Sequence, residues 1–219
     1  MKKNKKGFTL IELLAVIIIL GVLMIIAIPS VTEYISSSRK KAYIDTAKQY
    51  ISTVMTKVNQ ADDLKFFDED TLYLVKVGHE KACVSLEKGG QSPFNDTWKY
   101  AYVGVTYNGS GYTYYYMSED SSGQGIAFTE QSNLKDDDYD ELVVTSTANF
   151  KGLYESETTR YIVQGSTLYT ITTDADGNET ADTEVADFGS EVGAIVPSGY
   201  TRVVVVNAPA SGKCVYPTA

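Results

Sequence analysis

Few residues in this chain are equipped for chemistry, and their spacing narrows the choice further. The thiol and imidazole inventory is His79, Cys83 and Cys214. His79 and Cys83 stand four apart, a spacing that would bring both to one face of a helix. A zinc site needs more ligands than that, and none is near in sequence. A Ser-His-Asp or Cys-His arrangement would have to use His79, and no nucleophile-elbow sequence accompanies it. No glycine-rich loop runs into Lys-Ser/Thr, so a phosphate cradle is missing too. These residues point away from an enzyme.

Two acidic stretches carry enough oxygen for calcium. Asp136-Asp137-Asp138-Tyr139-Asp140-Glu141 is dense in carboxylates, although a solvated acidic loop explains it more plainly. Asp174-Ala175-Asp176-Gly177-Asn178 alternates oxygen ligands, but its glycine is out of place for an EF-hand loop and no glutamate closes it. An Asp-Gly hairpin turn is the simpler reading. We expect no cofactor, with calcium the one candidate worth a measurement. Cys83 and Cys214 read as one disulfide in an oxidising exterior, the alternative being two buried, unpaired thiols. A bridge of that span contributes roughly 4–5 kcal/mol in loop-entropy terms.

The carboxylate that stands apart is Glu12. It closes Gly7-Phe8-Thr9-Leu10-Ile11-Glu12 and opens the apolar run Leu13–Ile28, with Lys2, Lys3, Lys5 and Lys6 ahead of it. A carboxylate inside a lipid-like helix is costly unless it is paired. Phe8–Val31 would span about 36 Å as a helix, enough to cross a bilayer, and the lysines would hold its N-terminal end in the cytoplasm. A cleaved secretory signal needs an uncharged core and a small-x-small site, whereas Glu12 interrupts this core and Pro29-Ser30 follow it. A plain membrane anchor accounts for the length but not for Glu12 or Gly7-Phe8.

This combination resembles the N-terminus of type IV prepilins: a short basic leader, a Gly-Phe cut site and a Thr-Leu-Ile-Glu helix start. The resemblance covers about the first 30 residues. It implies cleavage between Gly7 and Phe8 by a membrane prepilin peptidase, N-methylation of Phe8, and pairing of Glu12 with the Phe8 amine of a neighbouring subunit during assembly. Gly21 and Pro29 match positions that recur in pilins, where the stretch between them loses helical structure in the filament. Pro29 leaves the carbonyl of Ile25 without its helical donor, and a kink is the milder outcome. Gly89-Gly90-Gln91-Ser92-Pro93-Phe94 looks like a loop of some pilin-like proteins of Gram-positive bacteria, on a looser match.

The rest of the chain must position this N-terminal device. From Ser30 the pattern turns amphipathic, with Ile44, Ala47, Ile51, Val54 and Val58 at helical spacing. One helix from about Phe8 to about Asn59 is expected, its second half packed on a domain. Arg39-Lys40-Lys41 reads either as a solvated helix face or as a contact for anionic lipid headgroups or acidic partners, and no function is assigned to it. Beyond it, Leu72–Val77 is a short apolar run. Trp98–Tyr107 and Gly111–Met117 read as strands joined by the hairpin turn Asn108-Gly109-Ser110. Further strands are expected over Gly125–Thr129, Glu141–Ser146, Thr159–Gln164, Thr167–Thr173 and Thr201–Asn207, with Gly165-Ser166 closing a second hairpin. Val203–Val206 should be a central strand buried on both faces.

The expected fold class is therefore α+β: a long N-terminal helix, transmembrane in its first half, packed on an antiparallel β-sheet head, as in type IV pilins. The organisation is a leader over 1–7, an apolar helix over 8–31, an amphipathic half over 32–60 and a β-rich head over 61–219. The chain has 19 basic and 28 acidic residues. That balance disfavours nucleic acid as a partner of the head. The 17 tyrosines and the many threonines suit a secreted β domain kept soluble by hydroxyls and carboxylates. The implied function is a filament subunit, held in the membrane by one pass before assembly and extracellular afterwards. Its partners would be copies of itself, the peptidase, and the assembly platform with its motors. The alternatives are a pseudopilin of a secretion-like or DNA-uptake machine, or a minor tip adhesin.

Overall fold

The computed structural model describes residues 7–60, 66, 68–78, 82–84, 86, 91–145, 160–185 and 195–206. The leader lysines, His79, Gly89-Gly90 and Cys214 lie outside them. Two compact units divide the chain, Met1–Arg39 and Lys40–Ala219.

In the first unit, helix α1 (Leu10–Gln60, continuing into the second unit) begins after three non-helical residues. It is made of Leu, Ile, Val and Ala on all sides, as a lipid-facing segment must be when its backbone bonds are satisfied internally. The large apolar side chains from Phe8 to Ile35 are 45–88 % exposed. The segment is long and apolar enough to cross a membrane. The helix runs unbroken across Gly21 and Pro29. Thr32 Oγ1 donates to the carbonyl of Pro29 at 2.8 Å, a hydrogen bond one turn beyond the proline ring.

In the second unit the rest of α1 lies on a nine-stranded sheet. Its buried residues are Tyr43, Ile44, Ala47, Tyr50, Ile51, Val54 and Val58. All five apolar positions expected from spacing are among them, together with two tyrosines that were not. The strands are β1 (Thr71–Lys76), β2 (Trp98–Tyr107), β3 (Tyr112–Asp120), β4 (Gln124–Glu130), β5 (Val143–Thr145), β6 (Arg160–Gln164), β7 (Thr167–Thr173), β8 (Glu179–Glu184) and β9 (Arg202–Val206). Their order is β5-β4-β3-β2-β1-β9-β6-β7-β8. Every pairing is antiparallel except β1 with β9, which is parallel from Thr71↔Arg202 to Val75↔Val206. β1 and β9 lie far apart in the chain, so no hairpin dictates their direction.

Both central strands are buried on both faces, as expected for Val203–Val206. Tyr73, Val75 and Val206 join the α1-side core, while Leu72, Leu74, Val203 and Val205 join a second core on the opposite face. The register shifts in three strand pairs, β2–β3, β3–β4 and β7–β8, and the first two reassign faces. In β2 the register shifts between Trp98 and Tyr100, so Trp98 belongs to the α1-side core and Tyr100 to the other. In β4 the extra residue opposite Tyr116/Ser118 sends Ile126 to the α1 side and Phe128 to the second core. Phe128 stacks on Tyr115 with ring centroids 4.7 Å apart. A Cβ on Gly104 would come within 2.8 Å of that ring, which is why this strand position is glycine.

Turn chemistry places the hairpins. Gly109, Gly165 and Gly177 sit at positive φ in the β2–β3, β6–β7 and β7–β8 turns. β1 and β8 went unrecognised in the sequence, β8 because Glu179–Glu184 (ETADTE) carries no strand-forming pattern. Of the strand expected over 141–146, Val143–Thr145 is strand, Glu141 and Leu142 belong instead to a short helix, α2 (Tyr139–Leu142), and Ser146 lies outside the described residues.

Candidate functional site

Thr9, Leu10, Ile11 and Glu12 fold locally into a helix N-terminus. The amide of Leu13 donates to the carbonyl of Thr9 at 3.2 Å, which makes Thr9 the N-cap. Glu12 occupies the third helical position. Its Oε2 accepts from the Thr9 amide at 2.8 Å and from Thr9 Oγ1 at 2.7 Å, while the Glu12 amide donates back to Thr9 Oγ1 at 3.3 Å. This is a capping box, in which two otherwise orphaned amides are satisfied reciprocally. Sequence reasoning treated Glu12 as an unpaired charge awaiting a neighbour. The Thr-x-x-Glu spacing that pairs it within its own chain was present and unused.

Gly7 and Phe8 precede this cap as exposed chain outside the helix. Nothing lies within 4 Å of where a Gly7 side chain would begin, and Phe8 is 88 % exposed. The peptide bond between them joins two exposed residues, and the capped helix starts just beyond it.

The acidic stretches are occupied by the protein itself. Asp136 Oδ1 accepts from Lys48 Nζ at 2.5 Å and Asp140 Oδ1 from Lys40 Nζ at 2.9 Å. Lys41 Nζ lies 4.9 Å above the Tyr139 ring. The segment bridging β4 and β5 is thus fastened to a basic stripe of α1, and the two clusters explain each other. In the β7–β8 turn, Asp174 Oδ1 accepts from the amides of Asp176 and Asn178 at 3.0 and 2.8 Å, and Oδ2 from the Asn178 side chain at 3.1 Å. These bonds hold the Asp174 carboxyl below the usual carboxylate range, the Asn178 amide contributing most. Among the described residues, no group of three or more His, Cys, Asp or Glu is placed to hold a metal.

Cys83 is partly buried against the α1-side core. Its Sγ lies 3.6 Å from the carbonyl of Val206, the last residue of β9. The described residues contain no free cysteine.

Comparison with known proteins points to the same N-terminal segment. The prokaryotic N-terminal methylation motif matches residues 2–28. Over 38 residues the chain is 50 % identical to the ComG operon protein 3 homolog of Bacillus licheniformis, a match covering 17 % of this chain and 39 % of that relative. The chain thus spans about two fifths of the length of the curated relative it matches. No solved structure matches it significantly.

A methylation motif at the start of a long apolar helix is what the N-terminal segment shares with type IV pilin-like proteins.

Proposed function

We propose that this chain is the structural subunit of an extracellular type IV pilus filament. Prepilin peptidase cuts between Gly7 and Phe8 and the new Phe8 amine is methylated. The helix from Phe8 to Val31 anchors the subunit in the membrane and then packs against copies of itself, its apolar surface exchanging lipid for neighbouring helices. Gly21 and Pro29 bound the stretch that unwinds in the filament. The observation that carries the reading is the exposed Gly7-Phe8 bond set directly before a capped, apolar helix with Glu12 in its first turn.

The capping box adds a step to assembly. Glu12 is held by Thr9 before a neighbour arrives, so its pairing with a neighbour's Phe8 amine is an exchange of partners. The unperturbed α-amino pKa is near 8, so the incoming group is largely cationic at neutral pH and outcompetes a neutral hydroxyl. The test is mass spectrometry of mechanically sheared surface filaments, which should give a mature N-terminus at methylated Phe8. Glu12→Gln should be cleaved normally yet yield no filaments, and wild-type filament levels in this variant would overturn the role of Glu12.

Likeness to the ComG operon protein 3 homolog favours a second reading, a pseudopilin of a DNA-uptake or secretion-like machine. A mature chain starting at Phe8, with sheared filaments absent and uptake or secretion lost on deletion, would select it. A minor tip adhesin would appear in filaments far below one copy per subunit.

A further inference from the structure

We propose that the cleft between the end of α1 and strand β3 binds a neutral saccharide. It is an open groove of about 450 Å³ lined by Met55 of α1, Tyr112, Thr113 and Tyr114 of β3, Glu130 at the end of β4, and Gln131 and Ser132 just beyond it. That volume lies within the range of small-molecule sites. Tyr112 and Tyr114 are two apart on β3 and so share one face, with centroids 6.3 Å apart. Tyr107, across the β2–β3 hairpin, continues the strip at 5.2 Å from Tyr112. The rings are tilted 46° to one another and Tyr114 is buried at 6 % exposure, so the half-buried Tyr112 is the ring that presents an apolar face to the C–H face of a pyranose.

The polar lining decides the ligand class. Glu130 and Gln131 supply acceptors, while Gln131 and the tyrosine hydroxyls supply donors, matching sugar hydroxyls that both donate and accept. Ser132 Oγ donates to Glu130 Oε1 at 2.6 Å and so orients the carboxylate. The lining includes one carboxylate and no cationic side chain, so a phosphate or an acidic sugar would meet repulsion without compensation. An ammonium ion would use the rings and Glu130 but leave every donor idle, and the open cleft does not surround a cation. This site is separate from the N-terminal device and stands whether the chain builds a pilus or a pseudopilus.

Saturation-transfer NMR on the full chain in an uncharged polyoxyethylene detergent, free of sugar headgroups, tests the assignment. The probes are galactose, N-acetylglucosamine and lactose, with tetramethylammonium chloride and inorganic phosphate as competitors. Transfer to ring C–H protons of at least one sugar is expected, with affinity about tenfold weaker in Tyr112→Ala, the loss of roughly one stacking contact. Gln131→Ala should also weaken it at an unchanged melting temperature. Gln131 is exposed, so this variant reports even if Tyr112→Ala fails to fold. Absence of transfer from all three sugars, or transfer unaffected by Gln131→Ala and by any folded Tyr112→Ala, overturns the proposal. Displacement by tetramethylammonium that depends on Glu130 overturns it in favour of an ammonium site.

Discussion

Asp120 is fully buried and serves as a hub. Its Oδ1 accepts from the Ser122 amide and hydroxyl and from the Gln124 amide at 3.1, 2.7 and 3.0 Å, and its Oδ2 from Ser92 Oγ at 2.6 Å. It thereby ties the Ser92-Pro93-Phe94 loop to the β3–β4 turn. Asp120→Ala would strand buried donors, each costing about 1–3 kcal/mol. Urea unfolding should show a loss at the upper end of that range, against a smaller one for Ser92→Ala. The tyrosines set an alkaline limit. Burial raises the phenols of Tyr43, Tyr73 and Tyr116 well above their ordinary value, and that of Tyr114 to about 12. Because the folded state holds them neutral, their contribution is complete below pH ~10 and is lost as pH climbs through the folded values. Absorbance at the phenolate band should therefore rise cooperatively with unfolding, starting between about pH 10 and 12. Independent titration of these tyrosines near pH 10 in the native state would contradict this.

Helix α1 and the segment facing it differ in how they hold. Ile51 is completely buried, and Ile51→Ala should cost about 2–4 kcal/mol. Asp136 is largely exposed and Lys48 is 38 % exposed, so Lys48→Ala should cost less than about 1 kcal/mol, and the difference should shrink in high salt. Thermal melts in low and high salt separate the two behaviours. Calcium should leave the melting temperature unchanged, since Asp136 and Asp140 already pair with lysines and Asp174 with its own turn. A calcium-dependent rise of several degrees would instead reveal a site. In β2, Gly104→Val would drive a branched side chain into the Phe128 ring and should destabilise by about 1–3 kcal/mol.

For the molecule as a whole, the central parallel pair β1–β9 joins the first strand of the sheet to the last in sequence. We propose that a Cys83–Cys214 disulfide secures the chain beyond this closure, because Cys83 abuts the end of β9, eight residues before Cys214 in sequence. Intact mass should rise by about two protons on reduction. Cys83→Ser should lower stability by roughly 2–5 kcal/mol, the usual loss for a native bridge. An unchanged mass, or a reduction-insensitive melt, would leave the two thiols unpaired.

What the sequence determined by itself is what depends on neighbours along the chain. Glu12 and the apolar run are legible because length and local composition alone specify a helix long and apolar enough to cross a membrane, whereas the Gly7-Phe8 bond stands out only through its resemblance to prepilins. The hairpins at Gly109 and Gly165 are legible because only certain residues tolerate positive φ. The α1 face was legible from its period, and β9 from its unbroken run of valines. Tertiary structure alone decided which way the tyrosines point. Tyr43, Tyr50, Tyr73, Tyr100, Tyr102, Tyr116 and Tyr161 are among the largest fully buried side chains, where composition had suggested a hydroxylated surface. A tyrosine suits either place, since its ring is apolar and its hydroxyl polar. A strand's period of two says that faces alternate but not which is inside, and one bulge reverses the answer, as Trp98 and Phe128 show. The pairing of Lys40 with Asp140 joins residues 100 apart in sequence, and charge patterning carries no signal over such a distance. Glu12 belongs to both accounts: the sequence singled it out, and the folded helix start shows which group holds it.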